Sequence, residues 1–122
     1  MNALVYETCR AVEAETGAKV ECNIIASYPG VVNHDAETAL AERAAQALLG
    51  AERVHRIETP TMKTEDFGYF LEEKPGTYYH VGAGCAVPLH NAAFLPTADC
   101  VVTTAAVNAA VLHSYLSSVT TG

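Results

Sequence analysis

The sequence predicts an α/β fold, in the form of an α+β fragment, from three patterns. Apolar residues recur at helical spacing early in the chain, residues 19–28 alternate with period two, and residues 97–116 are apolar on nearly every side. A helix with so little polar surface normally lies inside a layered domain, and these 122 residues offer few elements to cover it. We therefore expect residues outside this sequence to complete the domain.

A helix over residues 3–16 and a strand over residues 19–28 are predicted first. One helix face carries Val5, Cys9, Val12 and Thr16. Gly17 can end this helix, and Pro29-Gly30 ends the strand. A single strand cannot satisfy its own backbone groups. Residues 19–28 should therefore pair with a strand outside this sequence, or with their copy in a second molecule.

A second helix should run through the Ala-rich segment to Leu49, with Asn33 or Asp35 as its N-cap and Gly50 as its stop. Further along, the predicted elements are a strand at 54–57, a helix at 64–71 capped by Thr64, a strand at 77–81, a loop at 82–94 and a helix at 97–116 opened by Thr97. The Tyr78-Tyr79 pair is interpreted as sheet packing.

Charge and composition narrow the classes of partner. Fourteen acidic residues against seven basic ones give a net charge of −7, which repels nucleic acid and anionic membrane surfaces. The N-terminus has no basic region followed by an apolar one, and the apolar runs are expected to fall short of a membrane span. We expect a soluble chain with a small-molecule partner.

The cysteines indicate a reducing compartment. Cys9, Cys22, Cys85 and Cys100 form no C-x-x-C pair and show no zinc-finger spacing. At apolar positions a free thiol behaves as a small buried hydrophobe. Reduced core cysteines, and hence a cytoplasmic location, are therefore predicted.

Two short motifs carry the functional signal. Residues 61–68 read T-M-K-T-E-D-F-G, and residues 88–91 read P-L-H-N. In the first, Glu65 and Asp66 would lie in the first turn of a helix, where the macrodipole favours carboxylates. In the second, a loop presents His90. On these residues alone, ordinary helix-start acids and an ordinary loop histidine remain the favoured interpretation, because one histidine does not make a metal site.

The motifs together resemble a known family. The relevant segments, in chain order, are Y-P-G-V-V-N at 28–33, L-G at 49–50, M-K-T-E-D-F at 62–67, P-G-T-Y-Y at 75–79, G-A-G at 82–84, L-H-N at 89–91 and Phe94. Their order and spacing resemble the C-terminal third of the aminoacylase, hippurate hydrolase and auxin-conjugate hydrolase family of di-metal amidohydrolases.

The resemblance implies two structural parts. Residues 1–29 would form the end of a ferredoxin-like lid domain, through which family members commonly dimerise. Residues 30–122 would form the C-terminal part of an α/β metallopeptidase catalytic domain. The lid strand at 19–28 would then belong to a sheet that these residues only begin to build.

The resemblance also implies site residues. His90 matches the family's last metal ligand, and Glu65 and Asp66 match an E-D-F motif beside the active site, where they would position other groups. Met62 and Asn91 would face the substrate. The general base and the other ligands correspond to positions upstream of Met1, so no catalytic residue is assigned within this chain.

The implied activity is metal-dependent hydrolysis of the amide bond in N-acyl amino acids such as hippurate. Two divalent ions, zinc by default and manganese, cobalt or nickel as alternatives, would activate water, and a carboxylate would move its proton. The isolated chain should be inactive. The alternative is a stand-alone, non-catalytic α+β binding or assembly module. The acyl group, the amino acid and the metal are left open.

Several residues depart from the family pattern. Lys63 stands where a small residue is usual, Gly68 where serine is common, and Ala92 where proline is frequent. Before the last helix the usual acidic pair is reduced to Asp99. A lysine beside the cleft would either obstruct a substrate or pair with its carboxylate, so substrate preference does not carry over from relatives.

Overall fold

A computed structural model describes residues 1–25, 27–63 and 65–120. Within them lie four α-helices: α1 Asn2–Thr16, α2 Asp35–Leu49, α3 Phe67–Glu73 and α4 Ala98–Thr120. A single 3-10 turn, Ala51–Arg53, follows α2. The described segments contain no β-strand. All four predicted helices are therefore present, although several of their ends differ from expectation.

The helix stops agree with the sequence patterns. Gly17 ends α1 in the left-handed region, with φ 72°, and its N–H donates to the Glu13 carbonyl at 2.9 Å. Gly50 ends α2 with φ 92°. Both glycines have positive φ, which costs them little because they lack a Cβ. At the start of α4, the Thr97 hydroxyl accepts the Cys100 N–H at 3.2 Å, as predicted for an N-cap.

Two helix starts differ from the predictions. The N-cap position of α2 is His34, and its side chain makes no cap hydrogen bond, so neither Asn33 nor Asp35 fills that role. Because α3 begins at Phe67, Glu65 and Asp66 lie before the helix and not in its first turn. The proposed cap Thr64 lies outside the described residues.

The three predicted strands are not formed as strands. Residues 54–57 and 77–81, and the described part of 19–28, which excludes Ala26, carry no β ladder. The physical reason is that an isolated extended segment leaves its N–H and C=O groups unpaired, so a strand exists only with a partner. The predicted α/β class and the lid domain therefore remain predictions, as does the division at residues 29 and 30.

The packed interior is small. α2 lies against α4, and the buried hydrophobic residues of the described chain are Ala41 and Ala44 on α2, Val107 on α4 and Leu71 on α3. The small alanines let the two long helices approach closely. Large apolar side chains on the remainder of α4 are exposed, namely Val101, Val102, Leu112, Leu116 and Val119. This apolar surface is what an additional layer of structure would cover.

By length and composition, α4 could cross a membrane. The expectation that every apolar run falls short of a spanning length is therefore wrong for this helix, because α4 continues to Thr120 and its run is charged only at Asp99. A core helix of a layered soluble domain meets the same two criteria.

Candidate functional site

Glu65 is held by hydrogen bonds immediately before α3. Its Oε2 accepts the Tyr78 hydroxyl at 3.1 Å, and its Oε1 accepts the backbone N–H of Asp66 at 3.1 Å. The Glu65 side chain is half-buried. The carboxylate is therefore oriented by a phenol that comes from a segment thirteen residues further along the chain.

Tyr78 is itself fixed from both sides. The Asn33 amide pairs with its backbone: Nδ2 donates to the Tyr78 carbonyl at 2.8 Å, and Oδ1 accepts the Tyr78 N–H at 2.7 Å. The ring of Tyr78 lies 5.4 Å from that of Phe67 and 5.3 Å from that of His80, centroid to centroid. With its backbone paired and its ring packed, Tyr78 can hold Glu65 in one position.

The neighbouring carboxyls of Glu65 and Asp66 shift each other's pKa in opposite directions. Hydrogen bonding to the Asp66 carboxyl, and then to the Tyr78 hydroxyl, lowers the pKa of Glu65. The same carboxyl pair raises the pKa of Asp66, with partial burial as the second cause. Burial, followed by the bond to Glu65, raises the pKa of Tyr78. Glu65 is thus a carboxylate at neutral pH, and Tyr78 remains a protonated donor.

His90 lies on a loop whose base is closed. Thr97 N–H donates to the Ala83 carbonyl at 3.0 Å. Inside the loop, Phe94 N–H donates to the Asn91 carbonyl at 2.9 Å, and Asn91 Oδ1 accepts the Ala93 N–H at 2.9 Å. The loop therefore has its own internal structure, as compact surface loops do. The Asn91 side chain is used to shape it.

The backbone at His90 is unusual. Its φ is 69°. Among the described residues, His90 is the one residue other than glycine that has a positive φ. The imidazole is exposed. For a residue with a Cβ this conformation costs free energy, so the loop holds His90 there against the local preference. Such positions occur preferentially at functional sites, and a presented imidazole suits a metal ligand.

Among the described residues, no hydrogen bond joins the two parts of the predicted site. Glu65 contacts Tyr78 and Asp66, whereas the His90 loop closes on itself. In the described ranges, no three His, Cys, Asp or Glu side chains are grouped closely enough to hold a metal ion. Met62 is 98% exposed. The prediction that His90 and Glu65 border one cleft stays a prediction.

A large cleft of the described chain lies elsewhere. It has a volume of about 900 Å³ and lies between α2, α4 and the predicted strand segments 54–57 and 77–81. His90 and Glu65 are not among its lining residues, whereas Tyr79 and Val107 are. Because this cleft separates helix faces from segments that form no β ladder, we interpret it as incompletely filled interior and not as the substrate site.

Sequence reasoning missed Asn33 and Tyr78. The local sequence pattern predicts a helix cap at Asn33 and sheet packing for Tyr78. The two are 45 residues apart, and no local pattern marks a side-chain amide that pairs with a distant backbone. The clearest available signal was that each belongs to a motif in which the family resemblance is found.

Comparison with known proteins decides the family. The sequence profile of peptidase family M20/M25/M40 matches residues 4–114, which is most of the chain. The chain belongs to this family. The matched range includes the Glu65 cluster, defined as Asn33, Glu65, Asp66 and Tyr78, and the His90 loop. The resemblance predicted from the motifs is thereby confirmed.

Three relatives of this M20-family chain have descriptive names. It is 39% identical over 72 residues to "Putative amidohydrolase YhaA" of Bacillus subtilis, an alignment that covers 59% of this chain and 18% of the relative. It is 25% identical over 91 residues to hippurate hydrolase of Campylobacter jejuni, covering 75% and 24%. It is 29% identical over 93 residues to N-acetyldiaminopimelate deacetylase of Limosilactobacillus fermentum, covering 75% and 24%.

The chain thus spans less than a quarter of the length of these curated relatives. No solved structure matches it significantly. Membership of the family is a property of residues 4–114.

Proposed function

We propose that these residues form the C-terminal part of a metal-dependent amidohydrolase that cleaves the amide bond of N-acyl amino acids. The observation that carries the proposal is the family match over residues 4–114. Two relatives are named for removing an acyl group from an amino acid, as hippurate hydrolase and N-acetyldiaminopimelate deacetylase. The acyl group and the amino acid that this protein prefers are not part of the proposal.

In the proposed enzyme His90 is one ligand of a di-metal centre. Its exposed imidazole on an internally bonded loop suits that role, and nitrogen ligation makes zinc the default ion, with manganese, cobalt and nickel as alternatives. The described residues alone do not fit such a centre, because they group no three suitable ligands. The remaining ligands and the general base must therefore come from residues outside this sequence.

The Glu65 cluster would position the edge of the active site. Its carboxylate is fixed by Tyr78 and already accepts a backbone N–H, so its bonding capacity is partly used. This supports a positioning role for Glu65 over direct metal ligation. Asp66, Met62 and Asn91 are proposed to lie near the same edge.

The test is reconstitution. DNA upstream of this reading frame should encode the missing ligands, and co-expression of that segment with residues 1–122 should produce a protein that hydrolyses hippurate or another N-acyl amino acid. His90→Ala should abolish the activity and weaken zinc binding in a calorimetric titration. His113→Ala, which removes an exposed histidine from α4, is the matched control and should keep both.

An alternative function is a stand-alone binding or assembly module without catalysis. An independent ribosome-binding site before Met1, with no metal-ligand motif encoded upstream, would favour it. Retained activity in His90→Ala of the reconstituted protein would instead reject only the ligand assignment.

We also propose that the protein associates with a second copy through residues 19–28. The described part of this segment lacks ladder partners, and Ile25 is 81% exposed. An unpaired edge favours strand addition. Asn23→Pro, which removes one backbone N–H, should lower the association constant in sedimentation equilibrium, whereas Asn23→Ala keeps that N–H and should not. A small-molecule substrate and a cytoplasmic location complete the proposal.

A further inference from the structure

The helix α1 and the segment that follows it lie side by side. After the chain reverses at Gly17, the backbone N–H of Val20 donates to Glu13 Oε1 at 2.8 Å. This bond places residue 20 beside residue 13 of the helix. The bond therefore sets the register, that is, which residues of the segment after Gly17 lie opposite which residues of α1.

The register brings two cysteines together. Cys9 precedes Glu13 by four residues on the same helix face, a distance of about 6 Å along the axis. Cys22 follows Val20 by two residues, about 6.6 Å along an extended segment and on the same side of it. Because the two distances nearly match, Cys9 and Cys22 lie at the same level along the helix axis.

Burial follows the same pattern. In α1, Cys9 and Glu13 are half-buried while the other residues are exposed, and in residues 18–25 the half-buried positions are Val20, Cys22 and Ile24. The alternation shows that one side of this segment covers one face of the helix. Both thiols are free in this structure. Burial, followed by the neighbouring Cys9, raises the pKa of the Cys22 thiol.

We propose that Cys9 and Cys22 form a redox-active dithiol, which a peroxide converts to a disulfide that ties residues 18–25 to α1. One thiol attacks the peroxide and becomes a sulfenic acid as the first water leaves. The second thiol then attacks the sulfenic sulfur, the S–S bond forms and a second water leaves. Two thiols and one hydrogen peroxide give one disulfide and two waters, so the sulfurs are oxidised and the peroxide is reduced.

This pairing has a mechanical consequence. Residues 18–25 are attached to α1 through the Glu13 to Val20 bond and the contacts of one face. A covalent bond between Cys9 and Cys22 would restrict opening of the segment, which should slow amide hydrogen exchange in residues 18–25 by on the order of tenfold. The pairing concerns thiol chemistry alone, so its outcome does not depend on the proposed amidohydrolase activity.

The test is peptide mapping of the 122-residue chain. The reduced protein is treated with one equivalent of hydrogen peroxide, alkylated, and digested with trypsin, which cuts after Arg10, Lys19 and Arg43. The expected product joins peptides 1–10 and 20–43, with a mass lower by two hydrogens than the sum of the separate peptides. Cys85 and Cys100 both fall in peptide 64–122, because Lys74 precedes proline, so their products are distinguishable.

The variants and the unfolded chain provide the controls. Cys9→Ser and Cys22→Ser should remove the joined peptide, whereas Cys85→Ser and Cys100→Ser should retain it. In urea, Cys9 and Cys22 should no longer pair in preference to the other cysteines, since their pairing depends on how the folded segment 18–25 is aligned with α1. The proposal is overturned if the native chain yields the joined peptide no more often than the chain in urea, or if Cys9 and Cys22 remain alkylated while the other thiols are oxidised.

Discussion

Asn33 pairs with Tyr78 through both ends of its side-chain amide, at 2.8 Å and 2.7 Å. The two bonds reproduce what a neighbouring strand would supply to the Tyr78 backbone. Beside them, the His34 N–H donates to the Gly76 carbonyl at 3.0 Å. Asn33 and His34, just before α2, are thus hydrogen-bonded to Tyr78 and Gly76, and Tyr78 in turn binds Glu65. The described residues form no β-strand there.

Replacing Asn33 should open this junction. Asn33→Ala removes a donor and an acceptor, each worth about 1 kcal/mol net, so hydrogen exchange of the Tyr78 amide should accelerate on the order of tenfold. Two-dimensional NMR measures this rate. Asn23→Ala, at an exposed position, is the control and should leave the Tyr78 amide unchanged.

Removing the Tyr78 hydroxyl should raise the pKa of Glu65. Hydrogen bonding to Asp66, and then to the Tyr78 phenol, places the folded pKa of Glu65 below its unfolded value. The stabilisation is therefore present above the ordinary glutamate pKa and is lost as pH falls through the folded value. Carbon-13 NMR titration of the carboxyl groups should show a higher Glu65 pKa in Tyr78→Phe than in the unsubstituted protein. Tyr79→Phe should show none, because Tyr79 bonds to Asn108.

Gly68 should not tolerate a side chain. A Cβ built there would lie 2.6 Å from the Pro29 carbonyl oxygen, a backbone atom. Gly68→Ala should therefore lower the free energy of unfolding by about 1–3 kcal/mol. Gly82→Ala is the matched control, since nothing lies within 4 Å of its Cβ. Equal thermal unfolding midpoints for the two variants would contradict the close approach of residues 29 and 68.

His90→Gly should stabilise the loop while removing its imidazole. Glycine accepts φ 69° without steric cost, which is worth about 1 kcal/mol at such a position. In contrast, residue 113 lies within α4, so His113→Gly should lower the free energy of unfolding by about 1 kcal/mol. Thermal denaturation followed by circular dichroism shows whether each substitution raises or lowers the stability. A loss of stability in His90→Gly would indicate that the histidine is retained for packing.

The 122-residue chain alone should hydrolyse no N-acyl amino acid. A catalytic zinc site usually needs three protein ligands and a water, and His90 is the one ligand assigned here. Assays with hippurate and added zinc, manganese or cobalt should show no turnover. A rate on the order of one per second would mean that a complete site exists within these residues.

The candidate site was only partly predictable. The E-D-F and L-H-N motifs identified Glu65, Asp66 and His90 by resemblance, and the family match confirms the family that they indicated. The phenol that holds Glu65 was not predictable, because the bond joins residues 65 and 78, which no local pattern links. No motif in the sequence marks the positive φ of His90 either.

The sequence by itself determined the four helices, because helical spacing, the Gly17 and Gly50 stops and the Thr97 cap act over a few residues. Tertiary structure decided what the alternating segments became. A helix satisfies its own backbone, whereas a strand needs a partner, and in the described residues segments 54–57 and 77–81 have no ladder. It was also tertiary structure that brought Asn33, Tyr78 and Glu65 into contact, since side-chain pairing across 45 residues leaves no local pattern.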